Sequence, residues 1–432
     1  MAVPNNHART ILERILNGRS VDEAFQRLQP RDRKTDPLPE RMTATGDHSN
    51  AAMIARREIL TRQKISTAAV SGHEEVVSPE NLAANIENQI GMVQVPVGVV
   101  GPLRINGICA HGDFYVPLAT TEGALVASFH RGALVASMSG GVTASCLTES
   151  VTRAPCFMFE SVRDVGQFVS WLLPKFDQLQ SLVAQTTRHG QLNDCRTSIL
   201  GKEIYLLFEF TTGDAGGQNM VTIATQAICE WIVANSPLAP QHWFIDGNMS
   251  GDKKATMQAF TYARGKKVVA ECVLQQRLVK RFLHTLPEEM FRYWQISALG
   301  GVQSGSIGVQ GHYANGLAAM FIACGQDPAC VAEAAVGITR MDLTTDGDLY
   351  VSVALPNLIC GTVGGGTHLP TARECLEMIG CYGAGNARKL AEVICSTVLA
   401  GEISIIGAMA AGDFAAAHGS YGRNKKTAKP KE

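Results

Sequence analysis

An acid and two adjacent lysines, Asp252-Lys253-Lys254, close a glycine-punctuated stretch that begins Asp246-Gly-Asn-Met-Ser-Gly. The run before it (241–245) reads as a short buried strand, and 255–263 as the opening of a helix. A strand end that delivers two ammonium groups and a carboxylate into a loop is a common way to build a site for a developing anion. Other residues carry comparable potential. Glu122, in Ala-Thr-Thr-Glu122-Gly, stands in the first turn of a long expected helix, where the helix dipole favours a carboxylate. Asp327 follows a helix C-terminus, the unfavourable end for an acid, so a positive partner or a raised pKa is expected. His418, beside a glycine near the end of the chain, suits a late-arriving acid. Small residues in Thr212-Gly-Asp214-Ala215-Gly216-Gly217-Gln218-Asn219 open a helix and present unpaired amides to a phosphate, although the spacing is not the Gly-x-Gly-x-x-Gly of a Rossmann unit. The stretch Gly361-Thr-Val-Gly364-Gly365-Gly-Thr367 leaves room for a ligand to lie against bare backbone.

The elements that must position these groups are legible in outline. Residues 8–29 carry a helical pattern, followed by a polar linker and a second helix over 49–63. An extended segment enters a hairpin at Asn106-Gly107. A helix then runs to about Met138, with Ala124, Ser128, Gly132, Ala136 and Gly140 recurring every four residues, a stripe that lets another backbone approach closely. Residues 155–244 read as strand, helix (164–184), a hairpin about Gly201-Lys202, helix (216–235) and strand, the βαββαβ order of a ferredoxin-like unit. Beyond it come a strand at 268–274, a helix at 277–293, a glycine-rich run from 299 to 311, an apolar helix at 313–324 and a strand at 349–355. The fold class expected is α+β: a large mixed domain around a central buried helix, an inserted ferredoxin-like unit and a small helical N-terminal arm. The boundaries are 1–48 for the arm and linker, 49–154 with 245–432 for the large domain, and 155–244 for the insertion.

At 432 residues the chain exceeds one ordinary core. A net charge of −1 makes no case for nucleic acid or for an anionic membrane surface. The first residues lack the apolar core of a secretory signal. The most membrane-like run, 393–412, has Glu402 near its middle, so a buried helix is expected rather than a span. The 12 cysteines contain no Cys-x-x-Cys pair and there is no His-Glu-x-x-His string; a reduced, cytoplasmic protein without a metal is expected.

The set of motifs resembles one family, the 3-hydroxy-3-methylglutaryl-coenzyme A (HMG-CoA) reductases. The strings that carry the resemblance occur in family order. They are Glu87-Asn-Gln-Ile-Gly with Pro96-Val-Gly-Val-Val-Gly-Pro-Leu, Ala119-Thr-Thr-Glu-Gly-Ala-Leu-Val-Ala-Ser128, Gly247-Asn-Met-Ser-Gly-Asp-Lys-Lys254, Ile322-Ala-Cys-Gly-Gln-Asp327, Gly361-Thr-Val-Gly-Gly-Gly-Thr367, and Thr397-Val-Leu-Ala-Gly-Glu-Ile-Ser404. The pattern looks like the eukaryote-type class without its membrane segment. The resemblance implies a four-electron reduction of a thioester to an alcohol with two NADPH used in succession. It implies that Lys253 stabilises the oxyanion, His418 protonates the departing thiolate, and Glu122, held partly protonated near pH 7, donates a proton to the aldehyde. Asp327 would sit between Lys253 and Glu122, with Asn315 orienting them. Ser128, Arg131, Arg153, Asp246, Asp252 and Lys254 would line the acyl-coenzyme A site. Residues 214–219, Gly364, Gly365, Arg188 and Arg423 would hold NADPH, making the insertion the NADP-binding domain. The family also implies a homodimer, or a dimer of dimers, with active sites at the subunit interface.

The departures concern the acyl group. A family serine at the head of the loop is Asp246 here, a lysine that meets the substrate carboxylate is Ser297, and Leu134 and His284 replace basic positions near coenzyme A. Two alternatives therefore stand beside HMG-CoA reduction: the same chemistry on another acyl-coenzyme A thioester, and a catalytically silent regulatory homologue.

Overall fold

The computed structural model describes residues 4–43, 47, 49–72, 85–86 and 92–412. The arm holds α1 (Pro4–Leu16) and α2 (Val21–Leu28), followed by α3 (Asn50–Arg62). The single helical pattern expected over 8–29 is broken because Asn17 and Gly18 adopt left-handed conformations, φ 46° and 76°. Next come β1 (Val97–Gly107), β2 (His111–Ala119), α4 (Leu125–Met138) and β3 (Val142–Arg153). Asn106 and Gly107 lie inside β1, and the hairpin turns at 108–110, closed by Gly107 N–H donating to Ala110 O at 2.7 Å. The inserted region contains β4 (Cys156–Met158), α5 (Val162–Leu172), α6 (Phe176–Thr186), β5 (Gln191–Leu200), β6 (Glu203–Thr211), α7 (Gln218–Asn235) and β7 (His242–Phe244). The helix expected over 164–184 is two helices, because Pro174 opens a 3₁₀ turn between α5 and α6. Beyond the insertion lie β8 (Gly265–Leu274), α8 (Gln276–Leu278), α9 (Pro287–Ser304), α10 (Tyr313–Ala323), α11 (Val331–Ala334), β9 (Ile338–Leu343), β10 (Leu349–Leu358), α12 (Pro370–Met378) and α13 (Ala387–Ala411). The helix expected at 277–293 is instead α8, a π-turn over Val279–Leu283, and an α9 that starts on Pro287 and absorbs part of the expected glycine run.

One strand joins the two halves. β3 runs antiparallel to β8 from Thr143 to Ser150, with β1 parallel on its other side, and its last residues, Val151–Arg153, pair with Phe208–Phe210 of β6. The strand path is β7-β4-β6-β3-β8-β10-β9, with β5 beside β6. Within the insertion the order β5-β6-β4-β7 is that of a split βαβ pair. β7 is an exposed edge rather than the buried strand expected, with Phe244 63% exposed.

The core is built on α13, which packs against α4, α9, α10 and strands β3, β8 and β10. It is long and apolar enough to cross a membrane by composition, yet 83% of its apolar window is buried inside the fold. The small-residue stripe of α4 is what allows this. A Cβ on Gly132 would lie 1.8 Å from the carbonyl oxygen of Ala400, so the two backbones touch. Glu402, fully buried in α13, accepts from the amides of Gly311 and His312 at 2.8 and 2.9 Å, from His312 Nδ1 at 3.1 Å and from Thr339 Oγ1 at 2.7 Å.

Candidate active site

The loop between β7 and β8 is organised by Asp246, near its start. Asp246 Oδ1 accepts the Asn248 amide at 2.7 Å, and Oδ2 accepts Ser250 Oγ at 3.0 Å and Arg153 Nη1 at 2.8 Å. Gly251 (φ 74°) reverses the chain, and Lys253 itself is left-handed, with φ 56°. A non-glycine residue in that region costs energy that its neighbours must offset. After the loop the chain forms only a 3₁₀ turn, Met257–Phe260, where a helix was expected at 255–263.

Lys253 Nζ lies 2.9 Å from Asp327 Oδ2, both side chains 43% exposed. The hydrogen bond to Asp327 raises the lysine's pKa against the opposing effect of burial. Burial pushes Asp327 up, but the Lys253 ammonium and the Ala329 amide outweigh it and leave the carboxyl below its usual range. The positive partner expected for Asp327 is therefore Lys253. Asp327 also caps the 3₁₀ turn Pro328–Cys330, accepting from Ala329 N–H at 3.0 Å.

A chain of charges runs behind the loop. Arg153 lies 3.2 Å from Asp252 as well as 2.8 Å from Asp246. Arg264, 3% exposed, donates to the other oxygen of Asp252 at 2.5 Å and lies 3.3 Å from Glu333. Glu333, fully buried on α11, accepts the backbone N–H of Lys253. Arg264 and Glu333 were not singled out from sequence, because their roles arise only when 246–254, 264 and 327–333 meet. Lys254 turns outward and donates to the Asp252 carbonyl at 2.9 Å.

The glycine-rich segment before α7 lies against the one after β10. Ala215 and Val363 form a parallel bridge, Thr362 N–H donates to Asp214 O at 2.8 Å, and a Cβ on Gly361 would come within 2.5 Å of the Gly216 nitrogen. Gly217 (φ 79°) heads the 18-residue α7 with no side-chain cap, which leaves the first-turn amides of Gln218 and Asn219 available to an anion. Gly364 and Gly365 both have positive φ, and Cβ atoms there would meet open space. Arg188 is exposed in a turn that reaches the first turn of α7, since a Cβ on Gly190 would touch Met220 Sδ at 2.7 Å. The Asp214 carboxylate accepts the amides of Gly385 and Ala387 at 2.8 and 3.0 Å, at the start of α13. Gln218 reaches across to Cys330, Nε2 to Sγ at 2.8 Å.

Glu122 lies before the helix rather than in its first turn, since α4 begins at Leu125 behind a left-handed Ala124. Asn315 Nδ2 donates to its Oε2 at 2.6 Å. Beside them opens a cavity of about 690 Å³, with Ala127, Ile405 and Met409 on its walls and Arg41, Arg281 and His284 around it. Ser128 and Arg131 line it too, both bonded to Ser404 Oγ at 2.9 and 3.0 Å. Within one chain Asp327 does not sit between Lys253 and Glu122. Asn315 is at the N-terminal end of α10 and Asp327 lies beyond its C-terminal end, and an 11-residue helix spans roughly 16 Å. His418, Arg423 and 87–91 lie outside the described residues.

The α+β chain thus presents a lysine–aspartate pair in the loop that leaves a split βαβ unit for a helix-centred body, and an uncapped helix opening within that unit. The family model for hydroxymethylglutaryl-coenzyme A reductase matches residues 52–423, and the chain belongs to that family. It is 43% identical over 386 residues to the 3-hydroxy-3-methylglutaryl-coenzyme A reductase of Pyrococcus abyssi, covering 88% of this chain and 94% of the relative. It is 45% identical over 384 residues to that of Aeropyrum pernix, covering 87% and 90%. To reductase 2 of Solanum tuberosum it is 37% identical over 394 residues, covering 88% and 65%. The fold is that of the class II 3-hydroxy-3-methylglutaryl-CoA reductase from Streptococcus pneumoniae, solved bound to NADPH, with TM-score 0.68 at 20% identity over 82% of this chain and 96% of that one.

Proposed function

We propose that this chain reduces HMG-CoA to mevalonate and free coenzyme A, consuming two NADPH and two protons. The observation that carries the reading is the Lys253–Asp327 pair at 2.9 Å on a left-handed lysine, in a family whose curated relatives bear that activity in their names. NADPH supplies the two reducing equivalents. The residues present fit it: uncapped α7 amides suit its phosphates, the bare backbone at Gly364 and Gly365 leaves room, and Arg188 can meet a further phosphate. Residues 155–244 are then its domain. Lys253 directs its ammonium at the oxyanion that forms at the thioester carbonyl and again at the aldehyde, and Asp327 keeps it charged. Glu122, oriented by Asn315, delivers a proton to the nascent alkoxide, and His418 protonates the thiolate. The cavity lined by Ser128 and Arg131 suits the pantetheine arm of coenzyme A, with Arg41, Arg281 and His284 available to the coenzyme's phosphates.

The separation of Glu122 from Lys253 along α10 supports a homodimer in which each site takes Glu122 from one chain and Lys253 from the other. The face of α9 bearing Ile296, Leu299 and Val302, 65–72% exposed, supports a surface for that contact. Identity of 37% over 394 residues to the plant relative supports the eukaryote-type class. The extra acid at 246 is ion-paired with Arg153, which it shares with Asp252.

The test follows NADPH oxidation with HMG-CoA and with a panel of other acyl-coenzyme A thioesters. Oxidation with HMG-CoA and release of mevalonate are expected. Turnover only with other acyl groups refutes the substrate, and none with any thioester refutes the enzyme.

A further inference from the structure

We propose that Glu333 is a positioning residue for the reduction, holding the main chain of Lys253 so that its ammonium meets Asp327 and the reacting oxygen. The inference rests on the reading of Lys253 as the oxyanion group. Asp327 and Glu333 are six residues apart on one short segment, and they grip the same lysine at its two ends: Asp327 the Nζ, Glu333 the backbone N–H. The segment between them is stiff. Pro328 opens a 3₁₀ turn, Asp327 caps it through Ala329 N–H, and α11 follows directly. Both grips therefore move as one body, and the distance between the held amide and the held ammonium is set by that body.

Lys253 needs such a hold. Its φ of 56° is a sparsely populated conformation for a residue with a Cβ, and contacts around it must offset the cost. The amide acceptor here is not a neighbouring carbonyl, as it is for the left-handed Asn17 and Lys64, but a carboxylate with no exposure to water. Burial lifts that carboxyl to about 7, opposed by Arg264 and by the Lys253 amide itself. A fully buried acid is costly to keep for charge balance alone, because Arg264 already has Asp252 at 2.5 Å. The contact between Glu333 Oε1 and Arg264 Nε, at 3.3 Å, lacks the alignment of a hydrogen bond, whereas the contact to Lys253 has it.

Two conservative variants separate the hold from the charge. Glu333→Gln keeps an oxygen for the Lys253 amide and removes the charge beside Arg264. Glu333→Asp keeps the charge and withdraws the oxygen by one methylene. The expected outcome is kcat within about threefold of wild type for Glu333→Gln and a loss of about 30-fold or more for Glu333→Asp, with KM for NADPH changed less than about twofold in both. In a Lys253→Ala background Glu333→Asp adds no further loss, because it acts through the lysine. Equal losses in the two variants, or losses that multiply with Lys253→Ala, overturn the proposal in favour of charge balance or general stability. If Lys253→Ala itself leaves HMG-CoA reduction intact, the reading beneath the proposal fails. If Lys253→Ala abolishes reduction while Glu333→Asp is harmless, only the role of Glu333 fails.

Discussion

On the proposed mechanism Lys253 works through a conformation as well as a charge. Its ammonium is tied to Asp327 and its amide to Glu333, so the proposed oxyanion group is presented with little freedom left to lose. Replacing Lys253 with alanine is expected to lower kcat by about 10³-fold or more with thioester and with free mevaldehyde alike, since the same oxyanion forms in both steps; single-turnover assays on each substrate check it. Asp327→Asn removes the partner whose hydrogen bond raises the lysine's pKa. Lys253 then loses its proton at a lower pH, and the alkaline limb of the kcat profile moves down; a limb that stays in place refutes the pairing. At this scale the residue types were legible in the sequence. Asp327 was expected to need a positive partner because of the helix end it follows, and Lys253 stands there. Asp214 shows the limit: nothing in its glycine-rich surroundings announces that its carboxylate binds two amides at the start of α13, 171 and 173 residues on.

Elements place these residues by close approach. Where α4 crosses α13, Gly132 leaves no space for even a methyl group against Ala400 O. Gly132→Ala is expected to cost about 3 kcal/mol or more and to lower the thermal midpoint measurably, because two helices must separate to admit the Cβ. At the head of α7, Gly217 combines positive φ with a Cβ position 2.3 Å from Thr212. Gly217→Val should therefore raise KM for NADPH about tenfold or more while Glu122 and Asn315 keep their geometry; an unchanged KM in steady-state kinetics argues against this cofactor cradle. The four-residue stripe of α4 announced its crossing in advance. β3 did not announce itself, since Val142–Arg153 mixes polar and apolar residues without strict alternation while most of its pairing is with β6 and β8, strands far along the chain. The break in α5–α6 could have been read from Pro174, and the break between α1 and α2 from Asn17-Gly18. The exposure of β7 could not, because it depends on which strand of the sheet comes last.

The whole molecule depends on a helix whose polar groups are all accounted for. Glu402 joins α13 to the turn before α10 and to β9, and hydrogen bonds from His312 and two amides hold its carboxyl below the ordinary carboxylate range despite full burial. An acid with a lowered folded-state pKa contributes stability that is present above its unfolded value of 4.5 and is lost as pH falls through the folded value. Thermal stability should accordingly decline below about pH 4.5, and Glu402→Gln, which cannot titrate, should flatten that decline in a melting series. If each site draws on two chains, Lys253→Ala and Glu122→Gln proteins, each strongly impaired alone, should regain up to about a quarter of wild-type activity when refolded together; mixtures no more active than the separate variants refute the shared site. The position of α13 in the chain has a further consequence for synthesis. The strands and helices that surround it are made first, and their apolar faces have nothing to close on until residues 387–411 leave the ribosome. A ribosome stalled before that point should carry a chain that is protease-sensitive and prone to aggregate, however much of the sheet has already emerged.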